Sequence, residues 1–71
     1  MSNNQMIINN IRRIIQLKGL KQRVVAEKAG FTPNAFSSML NERKVIMAEY
    51  IPDIALALGV SVNELYRKGD E

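Results

Sequence analysis

The chain has 71 residues, which is enough for one small domain with one modest hydrophobic core. It contains no cysteine, which excludes a disulfide and a thiolate metal site, and no histidine, the commonest metal ligand and general base. We therefore expect no enzymatic activity, no cofactor and no metal. No apolar stretch approaches the roughly 20 residues of a membrane span, and the amino terminus lacks a secretion signal, which favours a soluble, cytoplasmic protein.

The net charge of +3 is distributed unevenly along the chain. Residues 1–44 carry eight Lys or Arg against Glu27 and Glu42, a net charge of +6, whereas residues 45–71 carry a net charge of −3. A basic half beside an acidic half is typical of a protein that presents one face to a polyanion. The same distribution also fits an ordinary solvated surface, so charge alone leaves both interpretations open.

The first predicted element is a helix over residues 5–18. Its apolar residues recur at three- and four-residue steps and form one stripe: Ile7, Ile8, Ile11, Ile14 and Ile15. Asn3 or Asn4 is a suitable cap for its first turn. Arg12 and Arg13 lie off the stripe, and we interpret both side chains as solvated.

A second helix is predicted over residues 21–29 and a third from Pro33 to about Asn41. Gly30, between them, adopts a positive φ without a Cβ penalty and so suits a tight turn. Thr32 is a favourable N-cap, and Pro33 at the first helical position loses only an N–H that has no helical partner there. The side chains expected to be buried are those of Val25, Ala26, Ala29, Phe31, Phe36, Met39 and Leu40.

These two helices predict a helix-turn-helix, a motif whose second helix fits the major groove of DNA. Ala26 is small enough for the helices to cross steeply. The open face of the third helix would carry short, uncharged side chains that bond base edges: Thr32, Asn34, Ser38 and Asn41, with Ala35 and Ser37 at its margins. Basic side chains lie at the ends of the motif, where phosphates would be: Lys21, Arg23, Arg43 and Lys44. A plain solvated helix surface is the alternative interpretation.

A fourth helix is predicted after a loop at residues 42–48. It should begin close to Glu49, because Pro52 is tolerated only in a first helical turn, and it should end at Gly59. Its buried face would carry Ile51, Ile54, Ala55 and Leu58.

A short fifth helix completes the prediction. Ser61 and Glu64 have capping-box spacing, and the helix they open would bury Leu65 and run to about Arg67. We thus expect one all-α domain over residues 1–71, a compact five-helix bundle with residues 1–4 and 68–71 frayed.

From about Ile8 to Tyr66 the sequence resembles the lambda-repressor/Cro-like helix-turn-helix family, also called the xenobiotic-response-element family. The likeness rests on Gln22 opening the second helix, the Ala26 and Gly30 pair, Ser37–Asn41 (SSMLN), and I-A-x-A-L-G-V-S-x-N-E-L from Ile54 to Leu65. The resemblance implies a phosphate contact from Gln22, and base or backbone contacts from the third helix and the loop after it. With the features above, the candidate DNA-binding residues are Gln22, Arg23, Thr32, Asn34, Ser37, Ser38, Asn41, Arg43 and Lys44.

Three positions depart from the family's usual pattern. Lys21 stands where Ser or Thr commonly caps the second helix, which predicts a weaker cap. Pro33 stands where many members carry a polar reader, so at most apolar contact with a thymine methyl remains. Glu42 stands where a helix-ending glycine is common. Either Glu42 adopts a positive φ at a cost of roughly 1 kcal/mol, or Asn41 takes that role, or the helix ends differently.

Two classes of function follow from the sequence. The first is a sequence-specific regulator of transcription that binds double-stranded DNA, a small repressor of the phage or mobile-element kind. The second is a protein-interaction or antitoxin-like module that keeps the fold with weak DNA binding. The basic ends of the motif favour the first, and Pro33 and Glu42 favour the second. Because family members usually pair to read two half-sites, we expect a homodimer formed through the acidic half, with four candidate contacts: Val45, Ile46, Met47 and Tyr50.

Overall fold

The computed structural model describes residues 3–68, which form five α-helices, one short 3-10 turn and no β-strand. The elements are α1 (Asn3–Lys18), α2 (Gln22–Ala29), α3 (Pro33–Leu40), the 3-10 turn (Ala48–Tyr50), α4 (Ile51–Leu58) and α5 (Val62–Leu65). The predicted all-α, five-helix fold is confirmed. Within these residues, no helix is long and apolar enough to cross a membrane.

The core is built from the side chains that helical periodicity predicts. The α2 helix packs against α3 and α4, and α1 packs against α3, α4 and α5. The predicted core residues that are buried are Ile7, Ile8, Ile11, Ile14, Val25, Ala26, Ala29, Phe36, Met39, Leu40, Ile51, Ile54, Ala55, Leu58 and Leu65. Ile15 and Phe31 are only partly buried and pack against its edge. Ile46 was expected at a partner interface, but it is buried in this same core, so that expectation is wrong.

The helices α1 to α4 all end in the same backbone arrangement, the Schellman motif. In each, one residue adopts a left-handed conformation and donates its N–H to the carbonyl three residues earlier, while the next N–H bonds the carbonyl five residues earlier. The left-handed residues are Gly19 (φ 66°), Gly30 (φ 91°), Glu42 (φ 64°) and Gly59 (φ 75°). The turn predicted at Gly30 and the helix end predicted at Gly59 are therefore confirmed.

The N-cap predictions have mixed outcomes. Thr32 caps α3 as expected, because its Oγ1 accepts the Ala35 N–H at 3.1 Å, and Lys21 makes no side-chain cap bond to α2. Asn3 and Asn4 do not cap α1, since both lie inside it, and Asn4 Oδ1 instead accepts the Ile46 N–H at 3.0 Å. Residues 3 and 4 were expected to fray but are helical. Residues 1, 2 and 69–71, also expected to fray, lie outside the described residues, and Lys68 follows α5 without regular structure.

The fourth helix starts close to the predicted position, whereas the start of the fifth differs from expectation. The 3-10 turn Ala48–Tyr50 leads directly into α4, so the α-helix itself begins two residues after Glu49, with Pro52 in its first turn. Ser61 precedes α5 but its hydroxyl makes no cap bond, because the Glu64 N–H bonds the Ser61 carbonyl instead, at 3.1 Å. The predicted capping box is therefore wrong.

The helix α5 also ends at Leu65 rather than Arg67. Its end is held by Asn10, a buried residue of α1. The Asn10 side-chain amide donates to the Leu65 carbonyl at 2.8 Å and to the Arg67 carbonyl at 2.7 Å. Both carbonyls thus accept from one side-chain nitrogen.

Two basic side chains of α1 likewise bond the carboxyl ends of other helices. Arg12 Nη2 donates to the Leu40 carbonyl of α3 at 2.9 Å, and Lys18 Nζ donates to the Leu58 carbonyl of α4 at 2.9 Å. A cation at this position satisfies otherwise unpaired carbonyls and opposes the negative end of the helix dipole. Arg13 donates to Asn10 Oδ1 at 3.2 Å. Arg12 is exposed to solvent and Arg13 is half-buried, and both also make hydrogen bonds within the fold that the sequence did not indicate.

Candidate nucleic-acid interface

The third helix has one buried side and one open side. Phe36 and Met39 face the core with at most 2% of their surface exposed. Asn34 and Asn41 are exposed and Ser38 is half-buried. These three lie four and three residues apart, which places them along a single face of the helix. This open face carries neutral hydrogen-bonding groups and no charge.

Aromatic contacts fix the start of α3. The ring of Phe31 stacks on that of Phe36 with 6.1 Å between centroids, and it meets Tyr50 edge to face at 5.0 Å. Tyr50 belongs to the 3-10 turn, so this contact joins the start of α3 to the segment before α4. Together with the Thr32 cap, it sets where the first turn of α3 begins.

The carboxyl end of α3 has a strained residue. Glu42 adopts φ 64°, whereas Asn41 has φ −96°, so Glu42 itself takes the left-handed role. The Glu42 N–H bonds the Met39 carbonyl at 3.2 Å, and the Arg43 N–H bonds the Ser38 carbonyl at 2.8 Å. The side-chain amide of Gln5 lies against the Glu42 carboxylate, and with its nitrogen assigned to that side, as two neighbouring acceptor oxygens favour, it donates to them at 2.7 and 2.8 Å.

A chain of side-chain hydrogen bonds crosses from α1 to the open face of α3. Arg12 Nη2 donates to Asn41 Oδ1 at 3.0 Å, and Asn41 Nδ2 donates to Ser37 Oγ at 3.3 Å. Two candidate DNA-binding residues, Ser37 and Asn41, are thereby joined to each other. Sequence reasoning missed Arg12, and its position off the apolar stripe was the only available signal.

Exposed basic side chains lie at both ends of the segment from α2 to the loop after α3. Arg43 and Lys44 follow α3 in an exposed loop, and Arg23 is exposed in the first turn of α2 beside the half-buried Gln22. Glu64 and Arg67, at 3.8 Å, form the ion pair seen within residues 3–68, so Arg23, Arg43 and Lys44 have no acidic partner there. Their charges are available to a polyanion.

An apolar hollow of about 330 Å³ lies beside α3. Its lining comes from the start of α3, its buried edge, the following loop and the 3-10 turn: Phe31, Ala35, Met39, Lys44, Val45, Met47 and Tyr50. Val45 and Met47 are 66% and 50% exposed, which is high for apolar side chains. The hollow thus brings together three of the four residues predicted to contact a second copy.

The structure groups the predicted site residues in three neighbouring places. Thr32, Asn34, Ser37, Ser38 and Asn41 lie on α3 or cap it; Arg43 and Lys44 lie in the next loop; Gln22 and Arg23 open α2. Contact of any of them with DNA stays a prediction.

A buried small residue, a left-handed turn and a second helix with an open polar face define a helix-turn-helix protein. Comparison with known families agrees, because residues 11–65 match the helix-turn-helix family. The chain belongs to this family, in its Cro/C1-type branch, and membership supports a role as a DNA-binding transcriptional regulator.

One solved structure is similar over nearly the whole chain. It is the crystal structure of the clp gene regulator ClgR from C. glutamicum, with a TM-score of 0.82 and 25% sequence identity. The match covers 92% of this chain and 84% of that one. A comparison with curated proteins gave no match.

Proposed function

We propose that the protein is a sequence-specific regulator that binds double-stranded DNA with α3 in the major groove. The observation that carries this proposal is the uncharged open face of α3 between exposed basic residues. Asn34 and Ser38 have the donors and acceptors to read base edges, and an asparagine amide pairs with N6 and N7 of adenine. We expect these two residues to supply base preference.

The basic residues have a different proposed role. Arg43 and Lys44 would contact phosphates after α3, and Gln22 and Arg23 would do so from the start of α2. Phosphate contacts set position and affinity but carry no direct sequence information. Occupancy of a promoter is enough to block transcription, so we propose repression as the mode of action, as in the phage and mobile-element repressors that the sequence resembles. The likeness to a clp gene regulator supports a regulatory role without indicating its sign.

The test is a series of equilibrium binding measurements at several salt concentrations, on a selected DNA site and on variants of it. Replacing Asn34 with Ala should cost roughly 1–3 kcal/mol on the preferred site and relax preference at one base position. Replacing Arg43 with Ala should weaken binding to all sequences alike and lower the salt slope by about one.

Lys28→Ala is the matched control for Arg43→Ala. Lys28 is an exposed cation near the end of α2, so its replacement removes one positive charge, as Arg43→Ala does. It lies outside the proposed interface, so no phosphate contact should be lost with it. Lys28→Ala should leave base preference unchanged and should lower the salt slope by less than the one unit expected for a lost phosphate contact. If Asn34→Ala and Arg43→Ala both bind as the parent does at every salt concentration, α3 is not the reading element.

A homodimer is the proposed binding form. Two copies would read half-sites about 34 Å apart, one turn of DNA. Exposed Val45 and Met47, beside the apolar hollow, are the proposed contacts, with half-buried Tyr50 behind them. Sedimentation with and without DNA tests this. Val45→Ser with Met47→Ser should weaken self-association, and Leu56→Ser, which alters an 81% exposed apolar residue on α4, is the control. A monomer at high concentration in both conditions would contradict the proposal.

A protein-interaction or antitoxin-like module is the second candidate, and Glu42 favours it. Its carboxylate directly follows α3 and would repel nearby phosphate, and Pro33 removes a polar reader from the first turn. This candidate predicts weak DNA binding by the parent that hardly depends on sequence. The salt series above therefore separates the two candidates.

A further inference from the structure

Arg12 reaches from α1 to the carboxyl end of the recognition helix. A single nitrogen, Nη2, donates to the Leu40 carbonyl at 2.9 Å and to Asn41 Oδ1 at 3.0 Å. The first bond caps α3, and the second holds the side chain of a candidate DNA-binding residue. Leu40 and Asn41 lie 28 and 29 residues from Arg12 along the chain, so the contact depends on how α1 packs against α3.

The chemistry of the guanidinium decides which way the Asn41 amide faces. Arginine has five N–H donors and no acceptor, so only the amide oxygen of Asn41 makes a favourable contact with it. The Nδ2 group therefore points away from Arg12, toward Ser37 Oγ at 3.3 Å. Nδ2 carries two N–H groups, and this one long bond uses only one of them.

The exposed amide of Asn41 is thus prepared as a hydrogen-bond donor. An asparagine pairs with adenine by using its oxygen and nitrogen together, but here Arg12 already occupies one of the two lone pairs of the oxygen and holds the oxygen toward α1. The remaining N–H donor of Nδ2 suits base edges rich in acceptors, such as N7 and O6 of guanine or O4 of thymine. It does not suit cytosine, which presents the N4 donor in the major groove.

We propose that Arg12 is a positioning residue that sets the base preference of Asn41, by holding its side-chain amide with the N–H donor toward the DNA. The inference rests on the proposed function, because it requires α3 to lie in the major groove. It assigns to α1 a part in sequence recognition, although α1 lies outside the helix-turn-helix. Arg12 acts through Asn41, which is the residue that touches the base.

The experiment begins by locating the base pair that Asn41 reads. This is the position at which Asn41→Ala loses discrimination among the four base pairs. At that position the parent should disfavour cytosine. Arg12→Gln should reduce this discrimination by about 5- to 150-fold, the range for one base contact. The double variant Arg12→Gln with Asn41→Ala should lose no more than Asn41→Ala alone, because both changes remove the same interaction.

Arg13→Gln is the matched control, since it removes the same charge from the neighbouring residue. Arg13 donates to Asn10 and makes no described contact with α3, so base preference should be unchanged. Each variant is first shown to be folded by circular dichroism at the temperature of the binding assay.

Asn41→Asp keeps Arg12 and its hydrogen bond, so it gives a second test if Arg12→Gln does not fold. A carboxylate replaces the donor with an acceptor, and acceptors of this kind bond N4 of cytosine. Discrimination against cytosine should therefore be lost or reversed. If Asn41→Asp keeps the parent's preference, the donor of Asn41 does not read the base and the inference is wrong.

The remaining outcomes separate this inference from the proposed function. Uniform weakening by Arg12→Gln on all sequences, with a lower salt slope, would make Arg12 a phosphate contact and overturn the inference. Lower thermal stability of Arg12→Gln with unchanged base preference would mean that Arg12 only caps α3, and this result would also overturn the inference. A parent without any base preference would overturn both proposals, whereas a parent with a preference that Arg12→Gln leaves intact would overturn this one alone.

Discussion

The ends of α2 and α3 have the same hydrogen bonds but differ in the residue that makes the turn. Gly30 ends α2 at φ 91°, and Glu42 ends α3 at φ 64°. Glycine adopts this conformation without steric cost, whereas a residue with a Cβ pays roughly 1 kcal/mol or more. The motif therefore has one relaxed helix end, inside the turn, and one strained helix end, beside the proposed DNA surface.

The strained end is also the end that α1 supports. Arg12 bonds the Leu40 carbonyl, and the Gln5 amide, with its nitrogen assigned toward Glu42, bonds the Glu42 carboxylate. These contacts oppose the tendency of a strained turn to open. The comparison teaches that the end of α2 is encoded locally, by one glycine, while the end of α3 depends on side chains from a distant helix. Strained backbone conformations cluster at functional sites, where contacts from the surrounding structure hold them in place. The end of α3, beside the proposed DNA surface, has this character.

The largest expected effect is on the α2 side. Ala26 is fully buried, and its carbonyl accepts the Phe31 N–H at 2.9 Å in the turn. Ala26→Leu should overpack the contact between α2 and α3 and lower the free energy of unfolding by about 1–3 kcal/mol. Urea denaturation checks this through the midpoint at constant m-value. An unchanged midpoint would mean that the helices have room to separate, contrary to the packing described.

A substitution at Gly30 measures the energetic cost of a left-handed backbone conformation separately from any steric clash. A Cβ added there meets no atom within 4 Å, so Gly30→Ala introduces strain without a clash. The free energy of unfolding should fall by about 1–2 kcal/mol, the cost of a left-handed residue with a Cβ. The same denaturation measurement applies. If the alanine variant is as stable as the parent, the contrast between the two helix ends has no energetic basis.

The converse change is Glu42→Gly, which relaxes the α3 end. We expect a gain of about 1 kcal/mol in the free energy of unfolding, reduced by the loss of the Gln5 hydrogen bonds. Glu42→Ala is the control, because it removes the carboxylate and keeps the strain. A gain shared equally by both variants would assign the effect to the charge of Glu42 and not to its backbone.

The smallest expected effect concerns the carboxyl end of α4, which has both a left-handed glycine, as α2 has, and a supporting side chain from α1, as α3 has. Gly59 makes the left-handed turn, and Lys18 Nζ donates to the carbonyls of Leu58 and Gly59 at 2.9 and 3.2 Å. Lys18→Met keeps the aliphatic stem and removes the cation, which should cost about 0.3–1 kcal/mol at low salt. Thermal denaturation at low and high salt measures it, since the electrostatic part should shrink as ionic strength rises. An effect that is independent of salt would point to packing instead.

The fold was predictable from the sequence because its determinants are local. The apolar stripe of α1, the cap at Thr32 and the turn at Gly30 each involve residues within one or two helical turns. The capping box at Ser61 failed although it is local, because a backbone bond from Glu64 replaced the hydroxyl. Local spacing predicts that a helix begins, but not which atom completes its first turn.

The contacts that were missed join distant parts of the chain. Asn4 bonds Ile46, Arg12 bonds Leu40 and Asn10 bonds Leu65, at separations of 42, 28 and 55 residues. No periodicity reports such pairs, since they depend on how the helices pack. The open face of α3 was predictable because it is the side left over when Phe36 and Met39 face the core. Which of its residues would contact DNA, as proposed, depends on a partner that the sequence does not contain.

The hydrogen bonds of Asn10 also have a consequence for biosynthesis. Asn10 is synthesised early, but its partner carbonyl at Leu65 is made 55 residues later. At about 5–20 residues per second, that interval is roughly 3 to 11 s. During it the isoleucine stripe of α1 lacks the side chains of α4 and α5 that later cover it. The packing of α1 is therefore completed only after α5 has been synthesised, so the full core forms late.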